Sequence, residues 1–364
     1  MNQNVRFINK DNSKFFSILK KRVDDYFLVH QISKKANFGM ILKTVTLLCA
    51  YFLPFLVVLI FNPSLPVVIA LSSIMGFAMA GIGMSIMHDA NHGAYSSKKW
   101  INNILGHTLW IVGWDVHNWK LQHNVLHHSF TNIYSIDEDI DDKTILRLAP
   151  HGPVRKMHRY QFIYAFFVFM LSTLYNSLAV DFFSFFRYRK KGLIRSQKTA
   201  DAIKYITKMT VIKIIYFSTM LVVPCVFFHV SFLHVLTGFL VMHFVAGLTI
   251  STIFQLAHAV EETSFPLPNA KNEIENDWAI HQMMTTADFA KHNRLLSWYV
   301  GGLNYQIEHH LFPSICHVHY RQIAEIVKKT AEEFKVPYLE NKTFLSALGS
   351  HIRYLKKLGH QEAV

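Results

Sequence analysis

Residues 65–92 read LPVVIALSSIMGFAMAGIGMSIMHDANH, and this stretch decides the fold. Its first part, Leu65–Met87, is apolar and has the roughly 20 residues that a helix needs to cross a bilayer. Its last part, His88-Asp89-Ala90-Asn91-His92, sets two histidines four apart. Residues at that spacing share one helical face. A membrane-length helix therefore runs straight into a pair of imidazoles able to grip one metal from one side.

Two more clusters follow: His123-Asn124-Val125-Leu126-His127-His128 and Gln306-Ile307-Glu308-His309-His310. On a helix His123 and His127 again share a face. Adjacent His127 and His128 diverge by about 100° and suit two different metals. One HxxxH is a weak signal; three such boxes beside membrane-length segments are a strong one. Seven box histidines plus Gln306 exceed the four ligands of a tetrahedral site, so two metals fit the count better. An imidazole donor set is open to zinc, iron, copper or nickel. By contrast His107, His151, His158, His351 and His360 lie outside the boxes and read as ordinary residues.

Composition sets the class. The chain has 364 residues, 51% of them hydrophobic, and a formal charge of +13. That balance fits a membrane-embedded part with a substantial basic cap. No aromatic-interleaved RNA motif or C2H2 pattern accompanies the charge, so a nucleic-acid partner is not indicated. Cys49, Cys225 and Cys316 are far apart, which argues against a disulfide framework or a zinc knuckle. The first 40 residues carry eight Lys and Arg, too basic for a cleaved leader, and read as a cytoplasmic segment.

The spans form two hairpins. Ile41–Phe61 and Leu65–Met87 are joined by Asn62-Pro63-Ser64. Lys213–Phe228 and Phe232–Gln255 are joined by His229-Val230-Ser231. Both connections lack formal charge, while the outer flanks are basic, including Arg187, Arg189, Lys190, Lys191, Arg195, Lys198, Lys204 and Lys208. Both termini are therefore expected in the cytoplasm. Gln161–Val180 is long enough to span, but its flanks are basic on both sides. It reads as an interfacial or partly inserted helix, and so does the shorter Ile101–Gly113. His234 and His243 lie inside the last span, and helix packing is the simpler account of His243. The expected fold is all-α: an integral membrane protein with four transmembrane helices in two hairpins and a helical cytosolic cap holding a His-rich two-metal site. Its parts are a segment 1–40, a membrane domain 41–325 and a tail 326–364.

The chemistry follows from the ligands. An unactivated C–H bond has no acidic proton and no leaving group, so acid–base or nucleophilic catalysis cannot cut it; a redox metal using O2 can. The acidic run Asp137, Glu138, Asp139, Asp141, Asp142 follows the second box. It is either a solvated loop or a source of partners that fix histidine tautomers, Asp139 first. Asp89 and Glu308 are comparable candidates.

These residues resemble the membrane fatty acid desaturase family. Gly301-Gly302-Leu303-Asn304-Tyr305-Gln306-Ile307-Glu308-His309-His310-Leu311-Phe312-Pro313 is similar to the third box of front-end (delta-5/delta-6, linoleoyl-CoA type) desaturases, in which Gln replaces the first His. Trp119-Lys120 leading into His123 also fits. The resemblance runs from about residue 40 to 325. It implies a di-iron centre, O2 as oxidant and a fatty acyl-CoA or acyl-lipid substrate that receives a cis double bond. It implies His88, His92, His123, His127, His128, His309 and His310 as ligands, with Gln306 in a ligand-equivalent position. His258 fits the further histidine that the family needs after the last span, and His281 is a weaker candidate. Many relatives carry a fused cytochrome b5 domain with an HPGG haem motif, which this sequence lacks. A separate ferredoxin or cytochrome b5 with its reductase is therefore the expected electron donor. An acyl hydroxylase or sphingolipid desaturase has the same boxes. A metal transporter would interrupt its spans with ionisable residues, whereas these boxes follow theirs.

Overall fold

The computed structural model describes residues 5–9, 14–141, 143–194 and 196–361, so Asp142 and Arg195 lie outside the described residues. Five helices are long and apolar enough to cross a membrane: α2 (Phe38–Phe61), α3 (Leu65–Asn91), α6 (Lys156–Lys190), α7 (Thr199–Phe227) and α8 (Phe232–His258). The chain is thus a multi-pass membrane protein. Before them lies α1 (Phe15–Val29). Between α3 and α6 lie α4 (Lys99–Gly106) and α5 (Val116–Lys120), the latter continuing through a π turn, Leu121–His127, into His128–Phe130. After α8 come α9 (Trp278–Thr285), α10 (Arg294–Tyr299), α11 (Gln306–Leu311), α12 (Tyr320–Glu333) and α13 (Phe344–His360).

Local chemistry sets the boundaries. Asn37 caps α2 by accepting the Met40 N–H, and Asn62, at φ 42°, ends it in the left-handed region that Asn tolerates. Pro66 sits in the first turn of α3, where its missing N–H costs nothing. Small residues then let the membrane helices approach closely. A Cβ at Gly76 of α3 would lie 2.6 Å from the Met242 carbonyl of α8, and one at Gly238 of α8 would lie 2.6 Å from Ser72 Oγ. The outer face of α2 leaves Phe52, Leu53, Leu56 and Ile60 exposed, as lipid contact requires.

Several helices extend past the apolar runs that announced them. α7 begins at Thr199 rather than Lys213: the helix continues back through the basic approach, and Lys213 lies buried within it. Its ammonium donates to Asp181 Oδ2 at 2.7 Å and to the Ser177 and Gly113 carbonyls, so its charge is paired inside the protein. His243 is used in packing: Tyr216 Oη lies 2.7 Å from its Nε2 and Thr173 Oγ1 lies 3.1 Å from its Nδ1, tying α8 to α7 and α6. α6 carries a π turn at Asn176–Val180. Gln161 donates to the Arg147 and Leu355 carbonyls, and Tyr188 donates to Glu138 at 2.8 Å.

The fold is not purely helical. β1 (Arg6–Phe7) pairs in parallel with β2 (Glu273–Ile274), and β3 (Asp288–Phe289) with β4 (Glu340–Asn341). These short pairs pin both ends of the chain to the region between α8 and α12. The tail is pinned again where Arg147 donates to the Leu358 and Gln361 carbonyls.

Candidate metal centre

The three boxes meet at one place. α3 delivers His88 and His92, the π turn after α5 delivers His123, His127 and His128, α8 ends on His258, and α11 presents Gln306, His309 and His310. The histidines form two adjoining nests. In the first, His88, His92, His123 and His309 each offer a ring nitrogen within 4.8 Å of the others. In the second, His127, His258 and His310 do the same. His128 bridges them: its Nε2 lies 3.2 Å from that of His123, and its ring stacks on His310 at 4.3 Å.

His88 and His92 share one nest, as their spacing predicts. His123 and His127 do stand together, their rings stacked at 5.4 Å and their ligand atoms within 4.8 Å of each other, but each also joins a different nest. His123 Nε2 turns to His88 Nε2 at 3.0 Å, whereas His127 faces His258 and His310, with ring centroids 4.6 and 4.9 Å away. The π turn is the reason. Its i→i+5 bonding brings residues five apart to one side, so His123 meets His128. His127 and His128 do diverge, as adjacent residues should.

The ring nitrogens are oriented from behind. His127 Nδ1 donates to Asp137 Oδ2 at 3.0 Å, His310 Nδ1 to Gln282 Oε1 at 2.8 Å, and His309 Nδ1 lies 3.1 Å from Tyr320 Oη. Each contact leaves Nε2 facing inward, the arrangement found where imidazoles bind metal. Within the described residues the buried Nε2 atoms of His92, His127 and His309 and the Oε1 of Gln306 have no hydrogen-bond partner. Buried polar atoms are rarely left so, and a metal would satisfy them. Burial, reinforced by neighbouring imidazoles, holds His92, His123, His128, His309 and His310 well below their ordinary pKa. They are neutral near pH 7, the form that binds metal. His127 differs. Burial lowers it, but the charge and hydrogen bond of Asp137 outweigh burial and hold it above its ordinary value.

The acids sort differently from their sequence ranking. Asp137 holds His127 directly, and Asp139, placed first by sequence, lies 3.5 Å away and accepts from Gln122 at 2.5 Å. Asp137 sits where it does because Asn132, at φ 58°, turns the chain and donates its N–H to the same carboxylate. Glu138 faces away, to Tyr188 and Arg187. Asp89 turns to His317 rather than to a box histidine. Glu308 is buried against Asp288 and accepts from Tyr338 at 2.9 Å; burial and the Asp288 charge push it well above the usual carboxylate range.

Gln306 points into the second nest, its Nε2 position 2.8 Å from His258 Nε2 and 3.4 Å from His310 Nε2. An amide carries an acceptor oxygen and a donor nitrogen of similar size, and the two can exchange places. Turned over, the same side chain aims an oxygen donor at both rings. His281 stands outside the nests, its Nε2 donating to the Thr131 carbonyl at 2.8 Å. Gln282, Thr131 and Tyr320 were not legible in the sequence. They carry no spacing signal, and only the fold brings them to the boxes.

Residues 62–342 match the profile of a family described as fatty acid desaturase. An sn-1 linoleoyl-lipid 6-desaturase of Arthrospira platensis is 36% identical, with 93% of this chain and 91% of that protein covered. One of the same description from Synechocystis sp. is 33% identical, with 98% of each covered. An acyl-lipid (8-3)-desaturase of Physcomitrium patens is 36% identical over 98% of this chain and 74% of that protein.

Proposed function

Because this chain belongs to the fatty acid desaturase family and is an oxidoreductase that desaturates acyl chains, we propose that it does so with two irons held in the adjoining nests. His88, His92, His123 and His309 would hold one, His127, His258, His310 and Gln306 the other, and His128 stands between them. Bound there, two irons would supply the power to remove two hydrogens from an unactivated carbon chain, with O2, two electrons and two protons as the other reactants and two waters as the co-product. The single observation that carries this reading is the set of inward, unpartnered, buried Nε2 atoms of His92, His127 and His309. The protein's own residues do the rest. Asp137, Gln282 and Tyr320 keep each lone pair aimed inward. Trp119, stacked on His123 at 4.5 Å, closes one apolar side.

The substrate we propose is an acyl chain on a membrane lipid, desaturated on the carboxyl side of an existing double bond. The relatives named linoleoyl-lipid 6-desaturase, aligned over nearly their whole length, support this reading. So does a site at the end of membrane helices, where lipid is at hand.

We also propose four crossings with the boxes and both termini in the cytoplasm. Boxes two and three meet in one cluster, so an even number of crossings separates them. Of α6, α7 and α8, one cannot then be a full crossing. We take α6 as that one: its flanks are basic on both sides, and Gln161 near one end and Tyr188 near the other bond to Arg147 and Glu138 of the segment after box two. Electrons would come from a separate ferredoxin or cytochrome b5 with its reductase. Exposed Arg187, Lys190, Lys191, Lys204 and Lys208 offer it a basic face. Donor affinity should then fall as salt rises, since salt screens exposed charges.

The deciding experiment is expression in a host without polyunsaturated lipids, fed linoleate, with fatty acids profiled by lipid class. A new double bond at carbon 6 on intact lipid is expected. Unchanged lipids alongside a desaturated acyl-CoA pool would overturn the lipid substrate, and a hydroxylated product would overturn desaturation.

A further inference from the structure

A buried chain of charges lies behind the first box. Lys43 of α2, Asp89 of the first box and His317, beyond the third box, are 2%, 2% and 7% exposed. Lys43 Nζ lies 2.8 Å from His317 Nε2, and His317 Nδ1 lies 2.8 Å from Asp89 Oδ2. Only one proton arrangement satisfies all three. The ammonium has donors alone and the carboxylate acceptors alone, so His317 accepts at Nε2 and donates from Nδ1. The His317 backbone N–H points to the same Asp89 oxygen at 3.3 Å.

This is not a third metal site. Asp89, Cys316 and His317 stand close enough to hold an ion. Yet both ring nitrogens of His317 are already engaged, one of them by a cation.

A second strap runs beside the first. Lys35 Nζ donates to the Gly93 carbonyl at 2.8 Å and the Ser314 carbonyl at 3.1 Å. The Cys316 N–H donates to the Lys34 carbonyl, and the Ala36 N–H to the Tyr95 carbonyl. The segment that opens the first membrane helix is thus fastened both to the exit of box one and to the loop after box three. Those two boxes meet in the first nest, where the rings of His88 and His309 lie 4.4 Å apart and His123 of box two joins them. The second nest draws on box two, the end of α8 and box three, and takes nothing from box one.

We propose that Lys43 and His317 are positioning residues that set the separation of box one and box three, and so tune metal affinity at the first nest alone. Neither residue touches the nest. They act through Asp89, the neighbour of His88, much as outer partners of metal ligands do elsewhere, where their loss typically costs about 10–100-fold in affinity. The inference rests on reading the nests as a two-metal site.

The test titrates full-length, metal-free protein in detergent with Co2+, followed by its visible absorption. His127→Ala/His258→Ala leaves only the first nest intact, and His88→Ala/His92→Ala leaves only the second. In the first background Lys43→Met should weaken Co2+ binding by about 10–100-fold; in the second it should change it by less than about threefold. His317→Asn, whose amide can still donate to Asp89, should lose less than His317→Leu in the first background, and this pair carries the test if Lys43→Met fails to fold. Equal losses in both backgrounds, or none in the first, overturn the proposal. A parent protein that takes up fewer than two Co2+ contradicts the two-metal reading itself.

Discussion

The rings of His127 and His258 stand 4.6 Å apart, although one comes from the second box and the other is the last residue of a membrane helix. A histidine outside every box thus completes the second nest. His258→Ala should therefore lower desaturation by at least about 100-fold, more than loss of an outer partner costs. His281→Ala removes only a bond to the Thr131 carbonyl and should spare most of the metal. Product yield and metal content of the two purified variants check this.

Asp137 and Asp139 make a second comparison. Asp137→Asn keeps the shape but weakens the bond that aims His127, so metal affinity should drop by about 10–100-fold. Asp139→Asn should cost less, because Asp139 stands farther from His127 and shares its charge with Gln122. Competition with a chelator of known affinity measures both.

Topology is tested by labelling single cysteines. Positions 64 and 231 should react from the outer face, and positions 155 and 190 both from the cytoplasmic face. Labelling of 155 and 190 from opposite sides would make α6 a full crossing and break the shared compartment that the boxes need.

The stability of the metal-free protein should depend on pH in a defined window. His281 and His351 are buried outside the spans, and burial lowers each pKa to about 4. The folded protein therefore binds fewer protons than the unfolded chain below the ordinary value near 6.5. Their contribution is complete above about pH 6.5 and is lost as pH falls toward 4, on the order of 3 kcal/mol each. His351 does not behave as an ordinary surface histidine. Its Nδ1 donates to the Ala259 carbonyl at 2.7 Å, and its ring stacks on Phe169. His351→Ala should lower the melting temperature and flatten this pH dependence while leaving metal content unchanged.

What could be read from the sequence was what spacing encodes. Four-residue spacing placed His88 with His92, and the apolar run before them led straight into the site. Charge flanking α6 led to the expectation of a helix with both ends on one side, while its length and apolar character equally suit a crossing. Spacing told less where the helix is not α. No residue between Leu121 and His127 announces a π turn, yet that turn brings His123 to His128 as well as to His127. The ranking of Asp139 over Asp137 failed because the left-handed turn at Asn132 decides which carboxylate reaches His127. The apolar run places the start of the span at Lys213, too late, because the partner that lets this lysine be buried within a longer helix, Asp181, lies on another helix. Gln282 and Tyr320 were invisible because their contacts with His310 and His309 exist only once the fold has formed.

Two irons are proposed to occupy the two nests. The most direct measurement is the metal content of purified, catalytically active protein by elemental analysis, with turnover assayed on the same sample. About two irons per chain are expected, because the two nests present more donors than one tetrahedral metal can use. Full activity with a single metal per chain, or with stoichiometric zinc and no iron, would contradict the account.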